Sequence, residues 1–236
     1  MVGEQALTAA VALAALNDGR ELPEGELLRL LRSPQCPAAL VERLAGCRWV
    51  LRLRRPLAAM LRHPACPRTF AWDALPRLGW NDLLAVSRDP RASPAVRKQA
   101  ERRLVERLPK LSVGERVTIA RTAPRGILAA VVKCAEERSL AALLDNPQLT
   151  EVDALRIMAT CERPGCLVEV LHHRTWGVRS SVVRAALRNR ALPLGVALGL
   201  AAALAPGELR ELVESDDLSA ELQGRVSELL ARSRPN

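Results

Sequence analysis

Two thiols and two imidazoles, Cys161, Cys166, His172 and His173, fall within 13 residues, and such a set is the raw material of a zinc site. The spacing works against it. Cys166 and His173 are seven residues apart and share a helix face, but His172 points about 100° away from His173, and Cys161 lies beyond Pro164-Gly165. An additional structural helix accounts for this stretch, and no metal site is assigned. The six cysteines are irregularly spaced and include no CxxC pair, the pattern of reduced thiols inside a cell.

Arginine beside tryptophan is the second constellation. Trp49 and Trp176 each have an arginine three residues on, Arg52 and Arg179. On a helical turn that spacing sets an indole beside a guanidinium, which can stack on a base, clamp a phosphate or wedge two helices together. Arg54, Arg55 and Arg62 follow Arg52 in one stretch with helical character, a candidate basic patch, and Trp80 is a further aromatic anchor. Hydrolytic or nucleotide chemistry has no such foothold. The chain contains no GxSxG, GxxxxGK[ST], HExxH or glycine-rich dinucleotide loop. Asp82, Asp89, Asp145 and Asp153 sit where helices start or turn, so capping explains them. No catalytic residue is assigned and no cofactor is expected.

The elements that must position these residues are written twice. Residues 63–104 align without a gap on residues 189–230, so that HPACP falls on NRALP and Leu83, Val86, Val96 and Ala100 fall on Leu209, Leu212, Leu222 and Val226. Upstream, SPQCP at 33–37 meets NPQLT at 146–150. This is the mark of a tandem duplication. It also serves as a control: Cys36 meets Leu149 and Cys66 meets Leu192, so both thiols read as small, buried, metal-free apolar residues beneath a turn. Arg54 and Arg55 meet Ser180 and Ser181 or their neighbours and are peculiar to the first copy.

Each copy repeats one grammar. In residues 81–104, Leu83, Leu84 and Val86 face inward, Asp89-Pro90 breaks the helix, Ser93 caps the next with Pro94 in its first turn, and Val96, Ala100 and Leu104 form a single stripe. The chain is rich in apolar residues (49%), yet has no Tyr, one Phe and four Trp, so its core is built from Leu, Ala and Val between helices. The reading is all-α, with turns at 34–37, 64–67, 89–94, 147–150 and 190–193. Residues 1–27 form an N-terminal capping helix that stops at Asn17-Asp18-Gly19. A single array fills 28–236: copy one at 28–107, an irregular unit at 108–139 and copy two at 140–231. Helices this short cannot bury their stripes alone and must stack.

The Asn/Asp-Pro-x-x-Pro punctuation at HPACP, DPRASP, NPQLT and NRALP, with WxxR at Trp49–Arg52 and Trp176–Arg179, resembles the leucine-rich repeat variant family and, more loosely, HEAT repeats. The resemblance implies an α-α superhelix, a solenoid of short helices, with no particular activity attached. Members of the first family can carry an iron–sulfur cluster on an N-terminal Cys-rich segment; residues 1–27 contain no cysteine, and no cluster is expected.

Charge supplies the remaining signal. Residues 1–110 carry 19 basic and 11 acidic side chains, a balance of +8, against 16 and 15 in residues 111–236, a balance of +1. A basic half is the footprint of a polyanion binder, although 32 of the 35 basic residues are Arg, a bias that a GC-rich genome also imposes on an ordinary solvated surface. The apolar run 6–16 is too short to span a bilayer, so no membrane association and a cytoplasmic location are expected. The leading functional expectation is a non-enzymatic scaffold for an unidentified protein partner. The alternative is nucleic-acid binding by the basic first half. More remotely, size and charge match HEAT-like alkylpurine DNA glycosylases, but no base-pocket acid or aromatic pair of that family maps onto this chain.

Overall fold

The computed structural model describes residues 8–214 and 218–232. Among them the chain is helical throughout, with no β-strand. It divides into two compact units, residues 1–110 and 111–236. No helix of the described residues is long and apolar enough to cross a membrane.

The first unit contains α1 (Ala9–Asn17), α2 (Glu24–Arg32), α3 (Ala38–Ala45), α4 (Arg54–Leu61), α5 (Arg68–Ala74), α6 (Trp80–Arg88) and α7 (Pro94–Arg107). Asp18 ends α1, and Gly19 follows at φ 75°, a left-handed stop that favours glycine. Helices two apart in sequence lie side by side: α1 on α3, α2 on α4, α4 on α6, α5 on α7. Their buried residues recur every three or four positions, as in Leu40, Val41 and Leu44 of α3 and Val96, Ala100 and Leu104 of α7, so each helix closes one stripe against its neighbours.

The second unit contains α8 (Val113–Thr122), α9 (Leu128–Cys134), α10 (Glu137–Leu144), α11 (Glu151–Thr160), α12 (Pro164–His172), α13 (Ser180–Leu187), α14 (Leu194–Ala203), α15 (Pro206–Glu214) and α16 (Ala220–Arg232). The same alternation recurs, α8 on α10, α10 on α12, α11 on α13 and α14 on α16. The stretch that holds Cys161, Cys166, His172 and His173 supplies α12, whose Cys166, Leu167 and Val170 are buried.

Among the described residues one turn is built five times from the same three hydrogen bonds. Its first residue is Ser33, His63, Asp89, Asn146 or Asn189. In each case that residue's N–H donates to the carbonyl three residues back, its carbonyl accepts from the N–H three residues on, and its side chain accepts from the N–H two residues on. The fifth residue of each turn, Pro37, Pro67, Ser93, Thr150 or Pro193, is the N-cap of the next helix. The punctuation read from sequence is therefore a defined polar bracket. The fourth residue lies beneath it: Cys66, Ala92, Leu149 and Leu192 are buried. Cys36, expected to be buried, is only half-buried.

The basic stretch after Trp49 departs from the expectation of one helix. Arg48–Arg52 is a 3-10 helix, Leu53 is extended, and α4 begins at Arg54. Pro56 explains the break, since it lacks an N–H and is accommodated only in a helix's first turn. The angles of a continuous helix thus do not relate Arg52 to Arg62.

Candidate functional site

The side chains that fasten one helix pair to the next separate structural arginines from unengaged ones. Arg54 Nε donates to Asp82 Oδ2 at 2.7 Å, Arg125 donates to Asp153, Arg163 to the Ala135 carbonyl and Arg179 to Glu151, and His173 meets Asp145 at 3.3 Å; each contact spans 28 residues. Arg43 and Arg107 do the same work on the carbonyls of Leu16 and Leu78. Bracket residues join in. Asn146 Nδ2 donates to the carbonyls of Ala120 and Ala123 at 2.7 and 3.1 Å, Asn189 Nδ2 to those of Met158 and Cys161, and His63 Nε2 faces the Cys36 carbonyl at 3.3 Å. The sequence reading missed this ladder. Its signal was there: the residue opening each turn always carries an acceptor, and three of them carry a donor at the other end.

Trp176 belongs to the same fastening. It is buried, its Nε1–H donates to the Leu144 carbonyl at 3.0 Å, and Arg179 lies over its ring with 5.0 Å to the centroid. Of the possible uses of a WxxR pair, packing is the one realised in the second unit. Trp49 differs: it is half-buried in the 3-10 helix, and among the described residues no such stack joins it to Arg52, which is exposed. Trp80 is half-buried at the first position of α6.

Arg29, Arg32, Arg52, Arg55, Arg62 and Arg91 carry no ion pair or side-chain hydrogen bond among the described residues, and they gather on one side of the first unit. Arg29 and Arg32 border a wide cleft over the end of α2. Arg52, Arg54 and Arg55 border a second, with Glu24 as its acid. Arg32, Arg55, Arg62 and Arg91 border a third between α2, α4 and the turn after α6, with Asp82 and Asp89. All three share Leu28. Arg54 and Arg55 occupy the first two positions of α4, where the helix macrodipole disfavours a cation and favours an anion. A local choice that opposes stability is the kind that function explains. No aromatic side chain lines these clefts, so the face offers phosphate or carboxylate contacts without a stacking platform.

The second unit offers a cavity of about 460 Å³ beside Cys161 and Cys166. Burial pushes the Cys166 thiol up to about 11, with the neighbouring Cys161 adding to the effect, and burial pushes Cys66 up to about 12. These thiols are protonated at neutral pH and are poor nucleophiles. Among the described residues, no group of three or more His, Cys, Asp or Glu side chains is disposed to hold a metal ion. Comparison with known protein families, curated proteins and solved structures returns no match.

Proposed function

We propose that this chain is a non-enzymatic helical-repeat scaffold, a HEAT- or LRV-like stack of short helix pairs arising by internal duplication, whose first unit binds the phosphate backbone of a nucleic acid. The observation that carries this reading is the gathering of Arg29, Arg32, Arg52, Arg55, Arg62 and Arg91 around contiguous clefts, free of the ties that occupy Arg43, Arg54 and Arg107. Guanidinium groups match phosphate oxygens in bidentate geometry. A row of them suits a partner whose negative charge repeats. The lack of aromatic lining favours backbone contact over base readout.

The test is titration of DNA and RNA at several salt concentrations. The logarithm of affinity is expected to fall linearly with the logarithm of salt, and Arg29→Ser with Arg52→Ser should flatten the slope by about one per lost contact. Both residues are exposed, so folding should be unaffected. Salt-independent or undetectable binding at low ionic strength would overturn the reading.

A protein partner is the second reading. It is favoured by Val152 and Val178 of the second unit and Trp72 of the first, exposed by 61, 78 and 40%. Apolar side chains left open in this way are available to an apolar partner surface.

A further inference from the structure

The three clefts are not alike. Those over the end of α2 and at the start of α4 are wide, about 510 and 590 Å³, whereas the one bordered by Arg32, Arg55, Arg62 and Arg91 is about 160 Å³. Its cations come from three elements: the last residue of α2, both ends of α4 and the turn after α6. Arg55 and Arg62 stand seven residues apart, about 10.5 Å along α4, and bracket the cleft. Arg62 is half-buried at the C-cap of α4, and its Nε is shut off from solvent without a hydrogen-bond partner. Leu31 and Ala58, both buried, line the same cleft.

Its charge balance is specific. Two carboxylates share the cleft, and both are already engaged, Asp82 by Arg54 at 2.7 Å and Asp89 by the backbone N–H of Arg91 at 2.9 Å. Four guanidinium groups against two carboxylates leave at least two positive charges unmatched. An internal phosphodiester brings one negative charge and needs an exit for the chain on both sides. A phosphomonoester brings a charge of about −1.5 to −2 near neutral pH, three acceptor oxygens and a single exit.

We propose that this cleft is a seat for the phosphomonoester at the end of a nucleic-acid chain, so that the first unit holds a phosphorylated terminus while the neighbouring arginines follow the backbone. The proposal rests on the nucleic-acid reading. Bidentate guanidinium contacts from more than one side give the terminus its advantage over the diester.

The full chain is titrated with one short single-stranded DNA in three forms: 5′-phosphorylated, 3′-phosphorylated, and with hydroxyls at both ends. One phosphorylated form is expected to bind about tenfold tighter than the hydroxyl form. Arg91→Ser, an exposed position, should erase that difference, while the hydroxyl form loses no more than the roughly one unit of salt slope that a single phosphate contact contributes. Arg62→Lys, which keeps the charge and removes the fork, should reduce it; circular dichroism of both variants confirms that they fold. Equal, salt-dependent binding of all three forms, or a preference that survives both variants, overturns the terminal seat and leaves backbone binding standing. Failure of every form to bind at low salt overturns both. Binding of a phosphoserine peptide in place of DNA, lost in Arg91→Ser, also overturns the proposal and transfers the cleft to a protein ligand.

Discussion

His63 is the one bracket residue with an imidazole side chain, and it is buried. Its Nδ1 accepts the Ala65 N–H and its Nε2 faces the Cys36 carbonyl, which fixes the neutral tautomer with the proton on Nε2. Burial lowers its pKa, the Cys36 carbonyl works in the opposite direction, and Arg91 adds to the lowering. A folded pKa below the unfolded value of about 6.5 means that the unfolded chain binds the proton more readily. The contribution to stability is therefore complete above about pH 6.5 and is lost as pH falls below it through the lower folded value. Asn146 and Asn189 perform the same two-ended task without a titratable group. His63→Asn should then preserve the fold and make the urea midpoint less dependent on pH between about 7 and 5. An unchanged pH profile would show that His63 is not held neutral.

At the scale of elements, two glycines at either end of α12 look alike in sequence and differ in what surrounds them. A Cβ on Gly177 would stand 1.8 Å from the Leu171 carbonyl oxygen and 2.6 Å from its carbon, both backbone. A Cβ on Gly165 would stand 1.8 Å from Glu137 Oε1, the far end of a flexible side chain. Gly177→Ala must displace the connection between α12 and α13 and should cost at least about 2 kcal/mol. Gly165→Ala only requires Glu137 to swing aside and should cost less than about 1 kcal/mol. Thermal denaturation of the two variants checks the order, and equal losses would contradict it.

The same elements show what could be read in advance. Helix boundaries at the five brackets were legible because proline and a small polar residue act locally, through φ, a missing N–H and a side-chain acceptor. The break before α4 was written too, in Pro56, but the apolar and basic run around it imitates a continuous helix. Convergence of Arg32, Arg55, Arg62 and Arg91 was not legible, since it depends on which helices lie side by side. Nor was the split between Arg54, spent on Asp82, and Arg55, left unengaged. The two arginines are adjacent and identical in type, and sequence treats them as equals.

At the scale of the molecule, the boundary between the two compact units coincides with the boundary in charge. Residues 1–110 carry the +8 balance and form the first unit, and residues 111–236 carry +1 and form the second. A polyanion drawn to the chain by long-range attraction should therefore engage the first unit at low ionic strength. The second unit adds little to that field, because its 16 basic side chains are nearly matched by 15 acidic ones, with Arg125 and Arg179 paired directly with Asp153 and Glu151. Hydrogen exchange with and without a saturating oligonucleotide would map the engagement. Added protection is expected in α2, in Arg48–Arg52, at the start of α4 and in the turn after α6, with α11 and α13 unchanged. That contrast should fade as salt is raised, following the loss of affinity. Protection centred on α11 and α13 instead, insensitive to salt, would place the oligonucleotide on the second unit and overturn phosphate binding by the first.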